Sequence, residues 1–427
     1  MAFTRPETSE GALGVQRPMP IGAGERIQLI DAVRGFALYG VLLANLIWLT
    51  QDGAVVPAQV AALPTAAIDR VVRYGVEFFI DWKFYTLFSF LFGLGFSVQL
   101  MRGVRRGVDA LPVYGRRLGI LLGFGLVHAY LVWYGDILHH YALLGFLLIL
   151  FRKCSDRLLL GMGIGLGVVL PAAIVMGKAL LHPATPTAGP DPAELQVLDA
   201  RFRAFTSGNV VESLRENAKY ALGYWTSGVA LHFLPAILGK FLLGFYAGRQ
   251  QLLEKPEAHL ALFRRLLTWG LVVGLVGNAL WVATTALTHS GRLAASSAWV
   301  LAAQLPIYLG LIAMAAFYLS SIVLLWQRPA WHSRLTRLAP VGQMALTNYL
   351  THSLIYLGLF YGFGLTLLGR VGATFCLALS VAIFGGQVLV SGWWLRRFRF
   401  GPAEWLWRSL TYGSRQPMRI RISGLSA

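Results

Sequence analysis

The chain has 427 residues, 56% of them hydrophobic and 13% charged, and its mean hydropathy is +0.60. This composition excludes a soluble protein of two or three domains and requires most of the surface to face lipid. The formal charge of +18 does not point to nucleic acid, because the basic residues form short clusters between apolar runs and no long basic face.

Residues 1–28 are polar, rich in Gly and Pro, and carry no apolar stretch of the secretory kind. They read as a disordered cytoplasmic tail, and the first hydrophobic run reads as an uncleaved signal-anchor. A bilayer core of roughly 30 Å needs about 20 apolar residues per helical crossing. Ten such runs follow, at 29–50, 84–101, 118–134, 137–151, 158–181, 226–248, 266–287, 297–326, 341–361 and 371–395. The expected fold is therefore all-α, a polytopic transmembrane helix bundle of about ten spans. The third and fourth runs, parted by Gly135 and Asp136, form a tight hairpin, and the eighth is long enough to tilt or to break near Pro306.

Retained positive charge marks the cytoplasmic side. With the N-terminus inside, the cytoplasmic segments hold 25 Lys and Arg and the opposite loops hold 9, with three more inside the spans. Both ends are then cytoplasmic, and the expected location is a bacterial cytoplasmic (inner) membrane. The long outer segment, 182–225, opens on HPATPTAGPDP and continues into a charged stretch with helical spacing, dividing five spans at 29–181 from five at 226–395. In the tail 396–427, AEWLWRSLTY between Pro402 and Gly413 reads as a short interfacial helix.

Ionisable groups inside a bilayer cost about 2.5 to 3.5 kcal/mol each, so each needs a reason. Asp31, Arg34, Leu38 and Asn45 fall within about 60° on the first helix and form one polar stripe. It serves either as a helix lock or as a site for an anionic group, for which arginine is suited. In the hairpin, His128 lies about three turns into its helix and Asp136 stands at the outer turn, where a carboxylate caps the next helix. Asn348 and His352 share a face one turn apart and suit interhelical hydrogen bonding. Lys240 is expected to snorkel to the cytoplasm. His139 and His140 lie near the outer surface with no third close ligand, and the two cysteines, Cys154 and Cys376, suggest neither a disulfide nor a thiolate centre, so no metal ligands are assigned. Walker, dinucleotide-binding, GxSxG and HExxH signatures are absent.

The stretches RIQLIDAVRGFALYGVLLANL, KFYTLFSFLFGLGF, HAYLVWYGDILHHYALLG, GQMALTNYLTHSL and FRFGPAEWLWRSLTYGSRQPMR resemble the YeiB-type bacterial membrane proteins, whose C-terminal half is a domain of unknown function. The likeness runs from Arg26 to about Arg419. It implies recurrent polar positions at Asp31, Arg34, Asn45, Lys83, His128, Asp136, Tyr141, Asn348 and Glu404. His352 departs from it, since glutamine is usual there, and His139 and His140 fall in variable slots. The first span and the hairpin are more distantly similar to transmembrane acyltransferases, which move an acetyl group from cytoplasmic acyl-CoA to a sugar on the other side. Those enzymes look to a histidine in the first outer loop, and this chain has none between Asn45 and Lys83.

Two activities follow as expectations. As an acyltransferase, the protein would take acyl-CoA as donor substrate at Arg116 and Arg117 and would hold no permanent cofactor. His128, oriented by Asp136 or Tyr141, would deprotonate the hydroxyl or amine of a small-molecule or glycan acceptor. Asp31, Arg34, Asn45 and Asn348 complete the expected binding set. As a transporter of small molecules or lipids, it would use the Asp31–Arg34 pair and His128 as a substrate or proton site. In both cases the partners are membrane lipids and the substrate, with no nucleic acid, and a homo-oligomer stays open.

Overall fold

The computed structural model describes residues 27–181 and 192–420. The expected tail, through residue 26, and the Pro-rich stretch 182–191 lie outside the described residues. Among the described residues all extended regular structure is helical, with one isolated bridge between Phe398 and Arg419.

The helices run α1 (Gln28–Ile47), α2 (Pro57–Ala61), α3 (Ala66–Phe79), α4 (Lys83–Arg105), α5 (Leu111–Leu131) and α6 (Leu138–Leu148). Then come α7 (Asp156–Ile164), α8 (Leu170–Leu181), α9 (Pro192–Thr206), α10 (Val210–Thr226), α11 (Val229–Arg249) and α12 (Leu260–His289). The chain ends with α13 (Ala298–Trp326), α14 (Pro329–Thr336), α15 (Ala339–Gln343), α16 (Ala345–Phe360), α17 (Ala373–Leu395) and α18 (Pro402–Tyr412).

Among the described residues, seven stretches are long and apolar enough to cross a membrane: Gln28–Gly53, Ala66–Arg105, Asp156–Leu181, Val229–Arg249, Pro256–His289, Ala298–Trp326 and Ala373–Leu395. The other three expected spans rest on lesser helices. α6 has 11 residues and runs directly into a 3₁₀ turn at Ile149–Lys153, and α16 has 16 residues, so each reaches about 24 to 26 Å. α5 has 21 residues but carries Arg116 and Arg117 in its first half. Ahead of the second span stands α3, an amphipathic helix absent from the expected scheme, joined to α4 through Trp82 at φ 64°. α13 continues unbroken past Pro306; at 29 residues it is about 44 Å long and must tilt to fit the hydrocarbon.

α1 is the buried centre. Leu38, Leu42 and Leu46 are inaccessible, and α4, α15, α16 and α17 pack around it. A Cβ on Gly342 of α15 would fall 1.9 Å from the Asp31 carbonyl oxygen, so only glycine permits that approach. The α4–α11 pair is made in the same way: Cβ atoms on Gly93 or Gly244 would each fall 1.9 Å from the opposing backbone. Lys240 of α11 is buried within this packing and does not reach the surface. The tryptophans of α18 are half-buried: Trp405 donates to the Gln416 carbonyl of the tail at 2.8 Å, and Trp407 to that of Arg117 on α5 at 2.9 Å. This helix closes one end of the bundle, with Leu406 and Leu410 left exposed.

Candidate functional site

α5 ends where the His128 carbonyl accepts the amides of Val132 and Trp133, at 3.0 and 2.7 Å. The six residues before α6 then fold back, with a glycine at 135 lying against the Trp133 ring. The Asp136 carboxylate serves α6 as a cap, taking the His139 amide at 2.9 Å and His139 Nδ1 at 2.6 Å on Oδ2. Its other oxygen, Oδ1, lies 2.8 Å from His128 Nδ1. Eight residues of separation argue against a direct His128–Asp136 bond, yet the sharp return at the turn makes one.

His128 Nε2 lies 2.8 Å from Ser353 Oγ, on α16. The proton positions follow from the donor inventory. An ionised carboxylate only accepts, so Nδ1 of both histidines carries hydrogen toward Asp136; a neutral His128 then has its lone pair on Nε2, and the Ser353 hydroxyl donates to it. Asp136, His128 and Ser353 form one directed hydrogen-bonded line. All three are buried, His128 at 1% exposure and Ser353 at 0%.

Beside this line lies a cavity of about 310 Å³, open at the end of the bundle where α1 begins, called here the entry face. Arg34, Arg102, Arg117 and Arg408 stand among its walls with Asp31 and Glu404. Deeper, the lining is Phe88, Phe92, Leu121, Tyr141 and Tyr349. Tyr349 stands between the cavity and the line: its ring centroid is 5.3 Å from that of His128, and its hydroxyl lies 3.5 Å from the Gly135 carbonyl.

Glu404 of α18 joins the two regions. Its carboxylate takes the amides of Leu346 and Thr347, at 2.7 and 3.1 Å, and the Thr347 hydroxyl at 2.5 Å. It thereby caps, from another helix, the α16 that carries Ser353. Burial pushes its carboxyl up, against the pull of these hydrogen bonds.

The expected residues divide. His128 and Asp136 meet directly, and Tyr141 does not bridge them, because its hydroxyl is 2.7 Å from Ser89 Oγ and it lines the cavity instead. Asp31 and Arg34 form a 2.8 Å ion pair at the cavity mouth. Of the basic pair, Arg117 lines the cavity, lying over the Trp407 ring at 4.5 Å and donating to Gln99 at 3.0 Å, whereas Arg116 is exposed beside Gly413. Asn45 accepts the Tyr85 hydroxyl, and Asn348 donates to the Val341 carbonyl and Ser391 Oγ, at 3.2 and 3.1 Å. Neither asparagine lines the cavity. His352 pairs with Gln387 at 2.9 Å. His139 and His140 are buried beneath α10, with Trp225 stacked on His140 at 5.4 Å. Ser353 and Tyr349 were missed. Their sequence signal is slight, since a hydroxyl in an apolar helix usually bonds its own backbone.

The model described as "Protein of unknown function (DUF418)" matches residues 247–414. Over 421 residues the chain is 31% identical to "Uncharacterized protein YxaH" of Bacillus subtilis, covering 93% of this chain and 97% of that protein. It is 30% identical to "Uncharacterized protein YeiB" of Escherichia coli, covering 93% of this chain and all of that protein, and 28% identical to an uncharacterized protein of Bacillus acidopullulyticus over 94% of this chain.

Proposed function

Proceeding from the YeiB-type family, to which this chain belongs, we propose that the protein is a membrane acyltransferase that receives an acyl group from acyl-CoA at the entry face and passes it to an acceptor hydroxyl or amine. The observation that carries this reading is the Ser353–His128–Asp136 line beside the cavity. The arginines at the mouth suit the phosphates of the donor, and the aromatic and leucine walls suit its acyl chain.

In this reading Ser353 Oγ attacks the thioester carbonyl while His128 Nε2 takes its proton. His128 returns that proton to the departing thiol, leaving an acyl ester on Ser353. The acceptor then attacks the ester, His128 takes the acceptor's proton and returns it to Ser353 Oγ, and the acylated product leaves. Asp136 holds the imidazole in the tautomer with its lone pair toward Ser353 and stabilises the imidazolium formed in each step. Tyr349 must move for the thioester to reach Ser353, because its ring fills the space between.

The test uses purified protein in lipid with labelled acyl-CoA and no acceptor. Wild type should acquire one covalent label on Ser353, His128→Ala and Ser353→Ala none, while all three still bind the donor. Donor binding without a label in the wild type would overturn the transfer step and favour transport; absence of binding would remove the donor site.

A further inference from the structure

The end opposite the entry face, called here the far face, holds a buried cation that the acyl-transfer reading does not use. Arg201 on α9 is 6% exposed and has no carboxylate partner among the described residues. One nitrogen, Nη1, donates to the Gly53 carbonyl, while Nε, also buried, has no hydrogen-bond partner. The guanidinium lies over the Tyr220 ring at 4.3 Å and near the Tyr134 ring at 5.4 Å. The hydroxyls of Tyr134 and Tyr361 are buried and donate to no acceptor, and that of Tyr134 lies beside the guanidinium. Phe205, one turn after Arg201, ties them together, with ring centroids 5.5 Å from Tyr134 and 4.6 Å from Tyr361.

A buried charge without a counter-charge is costly, and an unmet buried donor adds to that cost. Here a cation and phenol donors converge, and the missing partner common to all of them is an oxyanion acceptor. We propose that Arg201, with the hydroxyls of Tyr134 and Tyr361, forms a phosphate-binding site on the far face, for a lipid headgroup or a free phosphate group. The site is enclosed, so α9 must lift from the loop it grips, where the Gly362 amide donates to the Phe205 carbonyl at 2.7 Å. Gly208, at φ 78° just beyond α9, gives the backbone freedom for that movement. None of this depends on acyl transfer.

The test measures binding by the full chain in phosphatidylcholine nanodiscs, with inorganic phosphate as one probe and added phosphatidylglycerol as the other. Arg117→Ala serves as background, to weaken anion binding at the entry face, and the Arg201 variants are read as differences against it. In that background Arg201 should confer saturable binding of one probe or both, lost in Arg201→Gln and partly kept in Arg201→Lys. Loss for phosphate identifies a free-phosphate site, and loss for the lipid alone a headgroup site. Tyr361→Phe, which removes only a hydroxyl, should weaken binding about tenfold, and it carries the test if Arg201→Gln fails to fold. Equal binding in wild type and these variants, or no saturable binding of either probe, overturns the proposal.

Discussion

Replacing Asp136 by asparagine isolates what the carboxylate does for His128. The carboxylate accepts three hydrogen bonds: His128 Nδ1 at 2.8 Å on one oxygen, and the His139 amide and Nδ1, at 2.9 and 2.6 Å, on the other. An asparagine oxygen can keep the His139 pair, which places the amide nitrogen toward His128. That nitrogen only donates, so His128 Nδ1 must accept and its proton moves to Nε2. Nε2 then donates to Ser353 Oγ across the same 2.8 Å and can no longer take the serine proton. The bond is reversed and not removed, so folding should survive while acylation falls about 10⁴-fold, equivalent to about 5.5 kcal/mol of barrier. Single-turnover labelling of Ser353 by acyl-CoA measures it, with thermal unfolding in parallel. A folded Asp136→Asn protein that labels within tenfold of the wild-type rate would refute the assignment of Asp136 as the group that sets the tautomer.

Other consequences are as direct. Arg117→Ala should weaken donor binding more than it slows acylation, because Arg117 lines the mouth and not the reacting line; titration and single-turnover rates separate the two effects. Gly342→Ala should destabilise the protein strongly, since its methyl would meet the Asp31 carbonyl oxygen at 1.9 Å, and the melting midpoint reads this. Glu404→Ala leaves the first amides of α16 without their cap and should cost about 0.5–2 kcal/mol or more. The Glu404 carboxyl is held above its ordinary value by burial, so its stabilising part is full at low pH and fades as pH rises through the folded-state value; Glu404→Gln should flatten that slope in pH-dependent melts. A reporter fused after Gly189 should read as outside and one after Ala427 as cytoplasmic, as the basic-charge asymmetry requires.

The helical class and the buried polar stripe of α1 were legible because both are written in composition and period. Apolar runs of sufficient length specify helices, and a charged pair on the first of them cannot face lipid. The line of three was not legible, for two physical reasons. The His128–Asp136 bond depends on how a six-residue turn returns on itself, and neither propensity nor spacing encodes that turn. Ser353 joins from α16, 225 residues away in sequence from His128, and such contacts exist only once the bundle is packed. The run at 137–151 is helical nearly throughout, α6 passing straight into a 3₁₀ turn at Ile149–Lys153, while the run at 341–361 is split between α15 and the shorter α16, a division that hydropathy does not mark.

Those shortened helices are also where the polar chemistry sits. A full-length apolar helix satisfies its own backbone and offers a neighbour little except packing. α5 and α6 instead end at a turn whose carbonyls and amides need partners, and the turn can be buried only if protein supplies them. His128 and Asp136 meet across it, Asn217 of α10 donates to the Val132 carbonyl at 3.2 Å, and Tyr349 of α16 approaches the Gly135 carbonyl and the Ile137 amide. α16 is short in its turn, and its first amides are met by Glu404 from α18. Shifting α18 at the entry face would therefore shift α16, and with it both Ser353 and the Tyr349 ring that divides cavity from histidine. Contacts at Arg117, Trp407 and Glu404 and the geometry at Ser353 belong to one mechanical unit, so occupancy of the cavity mouth should alter Ser353 reactivity even where the ligand does not touch it. A mouth-binding anion that leaves the Ser353 labelling rate unchanged with a short, soluble acyl donor would break that link.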